Sequence, residues 1–229
     1  MPNDVVVTGT SSGIGRAIAQ ALLEGGWLVT GLDLAPPALS HPRFRALPVD
    51  LSDAKATDTV AAQLAGASAF VHAAGVLRVG TLGSLQTEQA ELMWKLHVVA
   101  AERLANALLP AMAEARHGRV VLVGSRVAQG KAGRSQYAAT KAALNGMARS
   151  WAAEVVARGV TVNVVSPAAT QTAMTDDPAR QSAAPVLPPI GRLIRPDEIA
   201  ALVLFLLSPA AAAITGQDIA ICGGASLPR

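Results

Sequence analysis

Aromatic residues make up only 3% of this 229-residue chain, which has one tyrosine and one cysteine. A single cysteine excludes an internal disulfide and is consistent with a reducing compartment, so we expect a cytoplasmic protein. The net charge of +3 is small, and the sequence contains no block of Lys and Arg. With so few aromatic side chains to stack on bases, this composition argues against nucleic acid as a partner.

Long hydrophobic runs are also missing. The most apolar stretch, "IAALVLFLL" at residues 199–207, is followed at once by Ser208 and Pro209. A helix needs about 20 apolar residues to cross a bilayer, so this stretch is too short. The opening "MPNDVVVTG" leads into a strand-like run without a basic segment or cleavage site, so we expect neither a signal peptide nor a membrane partner.

Length and composition favour one globular domain over residues 1–229. Hydrophobic residues make up 51% of the chain and charged residues 15%, which excludes general disorder. Short β-branched runs predict strands at 5–8, 28–32, 45–49, 69–71, 119–123, 161–165 and 218–221. Helical periodicity predicts helices at 14–24, 54–64, 89–115, 137–157 and 196–207. This alternation predicts a Rossmann-like α/β fold, a doubly wound parallel sheet of about seven strands with helices on both faces.

The first predicted strand ends in a glycine-rich turn, "TGTSSGIG", with Gly9, Gly13 and Gly15. Glycine permits a tight turn and lets the backbone approach a pyrophosphate, which the N–H groups of the next helix can bind. Such turns also occur without a ligand. The position between a strand and a helix nevertheless favours a dinucleotide site.

Two aspartates follow the next two strands. Asp33 can accept hydrogen bonds from an adenosine ribose 2′-OH and would repel a 2′-phosphate, which favours NAD over NADP. The alternative is a solvated turn aspartate. Asp50 could contact the adenine edge, or could instead cap the helix that opens near Asp53.

The lone tyrosine, Tyr137, has Lys141 four residues behind it in "SQYAATK", so a helix places both on one face. Phenol ionises near pH 10, and bringing that to about 7 requires roughly 4 kcal/mol. One ammonium about 4 Å away supplies roughly that much at an effective dielectric near 20. Ser125 ends the strand "RVVLVGS", and its hydroxyl could reach a substrate oxygen held against the phenol. The three residues predict a general acid/base site.

In this order, the motifs "TGTSSGIG", "HAAG", Ser125, "YAATK" and "NVVSPAATQT" resemble the short-chain dehydrogenase/reductase family over the whole chain. The resemblance implies that Tyr137 is the acid/base, that Ser125 polarises the substrate oxygen, and that Lys141 assists the tyrosine and holds the nicotinamide ribose. It also implies a homo-oligomer, a dimer or tetramer, joined through the helices at 89–115 and 137–157. The cofactor-binding residues implied are Gly9, Ser12, Gly13, Ile14, Gly15, Asp33, Asp50, Leu51, Ala73, Ala74, Gly75, Tyr137, Lys141, Pro167, Thr170 and Thr172.

Four residues depart from the family pattern. His72 and His97 stand where the family usually has asparagine, Ala168 replaces the glycine of Pro-Gly, and Cys222 replaces an aspartate. The asparagine at the second position steadies a water that links the lysine to solvent. His97 therefore either continues that proton relay, as a catalytic residue, or only packs under the site. We expect an active enzyme because Ser125, Tyr137 and Lys141 are all present.

The substrate is expected to be a small polar secondary alcohol. Within the family, "VHAAGVLRVGTL", "GLDLAPPALSHPRF" and "ITGQDIAICGGASL" look most like dehydrogenases that oxidise a cyclic diol carboxylate with NAD. Arg78, Arg126 and Arg134 lie where they could clamp a carboxylate, although a solvated surface arginine is the more common interpretation of any single one. Arg126 is the best candidate because it directly follows Ser125. Residues 168–191 are predicted to close over the substrate, with Met174 among its contacts. No metal is predicted.

Two alternatives stay open. The protein could be a dinucleotide-binding regulator or scaffold that has lost catalysis, which the departures at His97, Ala168 and Cys222 would allow. It could also be an acyl-carrier ketoreductase, which should prefer NADPH. Asp33 argues against that preference.

Overall fold

A computed structural model describes residues 3–64, 66–172 and 186–228. Its centre is a seven-stranded parallel sheet in the order β3-β2-β1-β4-β5-β6-β7. The strands are β1 (Asp4–Thr8), β2 (Leu28–Asp33), β3 (Phe44–Pro48), β4 (Ala69–His72), β5 (Gly118–Val123), β6 (Val160–Pro167) and β7 (Asp218–Ile221). This confirms the predicted fold class, and each predicted strand lies within two residues of an observed one.

The helices are α1 (Gly13–Glu24), α2 (Ala54–Ala61), α3 (Thr87–Trp94), α4 (Ala100–Glu114), α5 (Ser135–Val155) and α6 (Pro196–Leu207). The single helix predicted over 89–115 is wrong in its middle, where a five-residue π-turn, Lys95–Val99, separates α3 from α4. The Ala100 N–H donates to the Lys95 carbonyl five residues earlier. Such an insertion rotates the side chains that follow it, and π-turns of this kind often occur at functional sites.

Helices cover both faces of the sheet because the strands are apolar on both sides. In β1, Val6 points into a core shared with α2, α4 and α5, whereas Val5 and Val7 point into a core shared with α1 and α6. All three valines are 0–1% exposed. A parallel sheet buried on both faces accounts for the uniformly apolar strands in the sequence.

The strand order reverses between β1 and β4, which lie side by side although β2 and β3 separate them along the chain. At such a switch point the loops that follow the strands diverge and leave a crevice. The glycine-rich turn, the segment after His72 and Ser125 follow the carboxyl ends of strands at this edge, where Pro167 is the last residue of β6. Across the described ranges, no helix has the length and apolar character required to cross a bilayer.

Candidate active site

Tyr137 and Lys141 lie one turn apart on α5 and line the same cavity of about 460 Å³. The Lys141 ammonium lies 5.9 Å from the centroid of the phenol ring. A pair of unit charges at that separation would interact by roughly 3 kcal/mol at an effective dielectric of 20. The side chain is only 5% exposed, and its Nζ donates to the Val123 carbonyl at 2.8 Å. Burial lowers the pKa of Lys141 to about 8, which leaves it mostly charged at neutral pH.

Ser125 reaches the same cavity from the end of β5. It is 8% exposed, and its Oγ accepts a hydrogen bond from the Val127 N–H at 3.2 Å. This bond caps the short 3-10 helix Arg126–Gln129 and fixes the hydroxyl oxygen, while the hydroxyl proton stays available to another acceptor. The structure therefore brings Ser125, Tyr137 and Lys141 together around one space.

The glycine-rich turn runs closely packed from β1 into α1. The Gly9 N–H donates to the Leu32 carbonyl at 2.8 Å, and Gly9 and Gly13 have φ angles of +75° and +52°, which favour glycine. A Cβ on Gly15 would collide with the Gly9 carbonyl oxygen. Ser12 is the N-cap of α1, and its side chain makes no cap bond, so the cap side chain does not engage the N–H groups that open the helix. Ile14, in the first turn, lines the cavity.

Asp33 stands at the end of β2 beside this turn. Its Oδ2 accepts from the Ser11 N–H and its Oδ1 from the Ala35 N–H, both at 2.9 Å. The carboxylate is thus held by backbone in a fixed orientation and is not simply solvated. Each of its oxygens has a second lone pair that a ribose hydroxyl could use.

Asp50 does not cap a helix. Its Oδ1 accepts from the Ser52 N–H and hydroxyl at 2.8 and 2.7 Å, which closes a turn. The cap of α2 is Asp53, whose Oδ1 accepts from the Lys55 and Ala56 N–H groups. The capping alternative for Asp50 is therefore wrong. Leu51 is 5% exposed, and its side chain packs in the core.

The segment after β4 is tied to the end of β1. Thr8 Oγ1 accepts from the N–H groups of Ala73 and Ala74, both at 2.9 Å. Gly75 then passes directly over His97, because a Cβ at this position would lie 3.0 Å from His97 Nε2 and 3.7 Å from Lys141 Nζ. Ala73 and Gly75 line the cavity, whereas Ala74 is 8% exposed and packs in the core.

His97 lies under this segment, 0% exposed, with its ring edge-on to Tyr137 at 5.6 Å between centroids. Its Nε2 accepts from the Val76 N–H at 3.0 Å and its Nδ1 bonds Thr140 Oγ1 at 2.8 Å. Burial, and then the charge of Lys141, lower the pKa of His97 well below its usual value. Because both ring nitrogens are occupied and the ring is neutral, this geometry supports the packing alternative rather than a proton relay.

The loop after β6 closes the other side of the cavity, where Pro167, Ala168, Thr170 and Thr172 all line it. Thr170 Oγ1 donates to the Ala168 carbonyl at 3.0 Å. A Cβ on Gly13 would lie 3.3 Å from Thr172 Cγ2, so this loop meets the glycine-rich turn. Met174 and most of the predicted substrate-covering segment lie outside the described residues.

The three arginines considered from the sequence separate in the structure. Arg126 and Arg134 line the cavity, and Arg134 is only 6% exposed. Arg78 does not line it. Its guanidinium donates to Gln89 Oε1 and to the Leu77 carbonyl, so the expectation that Arg78 clamps a substrate is not supported by its position.

Sequence reasoning missed several cavity residues. Lys131 lies between Arg126 and Arg134 on the loop from β5 to α5 and adds a third cation. Ala225 and Leu227 arrive from the last residues of the chain, after a turn in which Gly223 and Gly224 have positive φ and the Ile190 N–H donates to the Gly223 carbonyl. The Gly-Gly pair was the available signal for that turn. Within the described ranges, no three His, Cys, Asp or Glu side chains gather in a way that could hold a metal.

Comparison with known proteins places this geometry among enzymes. A family model described as enoyl-(acyl carrier protein) reductase matches residues 9–226. The 3-oxoacyl-(acyl-carrier-protein) reductase FabG of Vibrio cholerae serotype O1 is 35% identical, covering 96% of this chain and 95% of that protein. The 2,3-dihydro-2,3-dihydroxybenzoate dehydrogenase of Escherichia coli K12 is 36% identical, covering 98% and 97%. A solved short chain dehydrogenase/reductase family protein superposes with a TM-score of 0.86 at 31% identity, covering 96% of each chain.

Proposed function

Because the chain belongs to the short-chain dehydrogenase/reductase family, we propose that it interconverts a small polar secondary alcohol and its ketone with NAD(H). Cyclic diols and hydroxy acids are the alcohols we favour. The observation that carries the proposal is the meeting of Tyr137, Lys141 and Ser125 in one cavity, beside a turn built for phosphate groups.

The described residues fit a dinucleotide. Gly9 and Gly15 let the turn pack tightly against its own backbone and that of Ala74, where a Cβ would collide, and the turn then leads into the N–H groups at the start of α1, which can bind a pyrophosphate. Gly75 packs closely on His97 and lines the cavity beside Lys141, where the nicotinamide end would lie. When bound, the nicotinamide supplies the hydride acceptor or donor. Pro167, Thr170 and Thr172 would border that ring.

The chain's own residues then handle the proton. In oxidation, the Tyr137 phenolate takes the proton of the carbinol hydroxyl while the carbon gives up a hydride, and the C–O bond becomes a carbonyl. The Lys141 ammonium stabilises the phenolate electrostatically and is fixed by the Val123 carbonyl. The Ser125 hydroxyl donates to the substrate oxygen. In reduction each step runs in reverse.

Asp33 supports NAD rather than NADP in this proposal. A fixed carboxylate at the end of β2 would accept from the ribose 2′-hydroxyl, and would repel a 2′-phosphate. We expect NADH to bind at least 10-fold more tightly than NADPH, measured by nicotinamide fluorescence. Equal affinities would contradict this part of the proposal.

The cations around the cavity support a substrate with a carboxylate. Arg126, which directly follows Ser125, lines the cavity together with Lys131 and Arg134. A guanidinium can bind a carboxylate through two parallel hydrogen bonds, which orients the substrate as well as holding it. This favours a hydroxy acid or a cyclic diol carboxylate over a neutral sugar.

The second candidate is a ketoreductase that acts on acyl-carrier substrates. The similarity to 3-oxoacyl-(acyl-carrier-protein) reductases over nearly the whole chain is the observation that favours it. That activity should appear as NADPH oxidation with a 3-oxoacyl thioester. Asp33 argues against it, and the same fluorescence comparison of NADH with NADPH distinguishes the two candidates.

The central experiment compares the parent with Tyr137→Phe. The parent should produce NADH from NAD and at least one member of a panel of diols, sugars and hydroxy acids. Tyr137→Phe keeps the ring against His97 but removes the acid/base, so we expect turnover to fall at least 1000-fold, within the range for a lost catalytic group. NADH binding by the variant is the control. Undiminished turnover would refute the mechanism, whereas NADH binding with no turnover by the parent would favour a non-catalytic dinucleotide-binding regulator or scaffold.

We also propose that the protein forms homo-oligomers through α3, α4 and α5, as family members commonly do. The outer face of α5 offers small exposed residues, Ala139, Ala142 and Gly146, against which a second helix can pack closely. Sedimentation of the parent should show a dimer or tetramer, and Ala142→Arg should shift it to smaller species. A monomeric parent would contradict the proposal.

A further inference from the structure

His97 can exist in only one tautomer here. The Val76 N–H can only donate, so Nε2 must be the accepting, unprotonated nitrogen. Nδ1 therefore carries the ring proton and donates it to Thr140 Oγ1 at 2.8 Å. The Thr140 hydroxyl then donates to the Tyr137 carbonyl at 2.9 Å. The imidazole is thus connected through one hydroxyl to the backbone of the proposed acid/base.

His72 is fixed in the opposite tautomer by the same reasoning. The Leu96 carbonyl can only accept, so His72 Nε2 carries the proton and donates it at 3.2 Å. Nδ1 must then accept from the Thr8 hydroxyl at 3.1 Å. Thr8 Oγ1 in turn accepts from the Ala73 and Ala74 N–H groups, so every hydrogen in this cluster has one assignment.

The π-turn connects the two rings, because His97 lies in it and His72 bonds to its backbone. His72 binds the carbonyl of Leu96, and His97 is the next residue along. One chain of bonds runs from the end of β1 to the π-turn, and the other runs from the π-turn to the segment after Gly75 and to α5. The strand that precedes the phosphate-binding turn and the helix that carries Tyr137 are therefore connected through these two imidazoles.

Both rings are enclosed by groups that oppose a second proton. Each is 0% exposed, and burial is the main reason that their pKa values are lowered, with Lys141 adding to it in both cases. The titratable groups around His97 are Lys141 and Tyr137 on α5 and His72 on β4. Within the described residues around the rings, no carboxylate contributes to either pKa.

We propose that His72 and His97 are a pair of neutral positioning residues, locked in opposite tautomers, that set Tyr137 and the Gly75 segment relative to β1 through the π-turn. They carry no proton in the reaction. This role differs from the water-steadying asparagine that the family resemblance implied for position 97, because the ring bonds backbone and a hydroxyl directly.

The tautomers can be read without any activity, from ring nitrogen chemical shifts of ¹⁵N-labelled protein. His41→Gln with His117→Gln removes the other two histidines, and neither lies in the site. We expect one ring protonated at Nδ1 and one at Nε2, both unchanged from about pH 8 to about pH 5, where a free histidine would titrate. Two rings in the same tautomer, or a second proton on either within that range, would overturn the proposal.

Kinetics test the connection to Tyr137, and this arm rests on the proposed function. His97→Gln keeps one donor and one acceptor but cannot relay a proton as imidazole does, whereas His97→Leu keeps neither. We expect His97→Leu to lower kcat about 10-fold, the scale of a lost positioning hydrogen bond, and His97→Gln to recover most of it. The KM for NAD should change less than about 2-fold in both.

Thr140→Val tests the same connection from its other end, because it removes the hydroxyl that joins His97 to the Tyr137 carbonyl. We expect it to lower kcat like His97→Leu, and the double variant to be about as active as either single variant. If the fold losses of kcat in the two single variants multiply in the double variant, the two residues act separately, which overturns the proposal. A His97→Gln variant as slow as His97→Leu would indicate proton relay and would also overturn it. A parent without turnover would fail the proposed function but leave the tautomer result standing.

Discussion

Acidification should lower the free energy of unfolding of this protein through protonation of His72 and His97 in the unfolded chain. Burial lowers the pKa of His72 to about 3, whereas the unfolded chain keeps about 6.5. The unfolded state therefore binds the proton first, and the free energy of unfolding falls as the pH drops through 6.5 toward 3. From about pH 7.5 to pH 4.5 the His72 contribution falls by about 3 kcal/mol. His97, whose pKa is also lowered, adds a loss of the same sign.

The assay is urea unfolding at a series of pH values, for the parent and for His72→Asn, His97→Asn and the double variant. Between about pH 6 and 4.5 the parent curve should be steeper than that of His72→Asn by about 1.4 kcal/mol per pH unit. It should also be steeper than that of His97→Asn, and the difference from the double variant should be the largest. Other groups also lower the free energy of unfolding at acid pH, such as Glu198, whose pKa is lowered to about 2 by its hydrogen bond with Arg192. Their contributions are the same in all variants and cancel in the differences between the curves.

His41→Asn is the matched control, because its Nδ1 only accepts a local bond from the Arg43 N–H at a partly exposed site. Its curve should run parallel to that of the parent. The reasoning fails if the His72→Asn and His97→Asn curves also run parallel to the parent, since that would mean both rings become protonated in the folded protein.

Three further predictions concern the glycine-rich turn, Lys141 and Arg126. Gly15→Ala places a Cβ on the Gly9 carbonyl and should weaken NADH binding more than about 10-fold by fluorescence titration, whereas Gly25→Ala, at the other end of α1 with ordinary contacts, should not. Raising the pH from about 7.5 to 9.5 should stabilise the parent by about 2 kcal/mol relative to Lys141→Met. The reason is that buried Lys141, with its pKa lowered to about 8, loses its proton in the folded protein over this range, whereas in the unfolded chain it keeps the proton. Equal changes of the free energy of unfolding in the two proteins, measured with urea, would contradict this. Arg126→Gln should raise the KM of a hydroxy acid about 10-fold and that of the matching alcohol without a carboxylate less than about 2-fold; equal changes would remove the carboxylate argument.

The strands and the reactive helix were predictable because their signals are local. Runs such as "VVVT" and "RVVLV" are β-branched and apolar, and an i, i+4 spacing puts Tyr137 and Lys141 on one face of any helix that contains them. The confirmed sheet and α5 follow from those patterns. The residues assigned to cofactor and catalysis stay predictions, although the structure gathers most of them at one edge of the sheet.

The π-turn and the role of His97 were not predictable in the same way. An extra residue in one helical turn leaves the hydrophobic period over 89–115 almost unchanged, so the pattern reads as one helix. The partners of His97 are Val76 and Thr140, and the distance along the chain to each hides them until the fold is known. The expectation that Arg78 binds a substrate carboxylate is not supported for a similar reason, since its guanidinium donates to Gln89 on α3.

The two backbone bonds of Asp33 affect any attempt to redesign cofactor preference. Its carboxylate joins the Ser11 N–H of the glycine-rich turn to the Ala35 N–H beyond β2, so replacing it to admit a 2′-phosphate would also release that turn. Leu34, the neighbouring side chain, is 71% exposed and makes a less disruptive place to introduce an arginine. Asparagine would keep only one of the two bonds, because its amide nitrogen cannot accept, so an engineer would retain the carboxylate and place the new positive charge beside it.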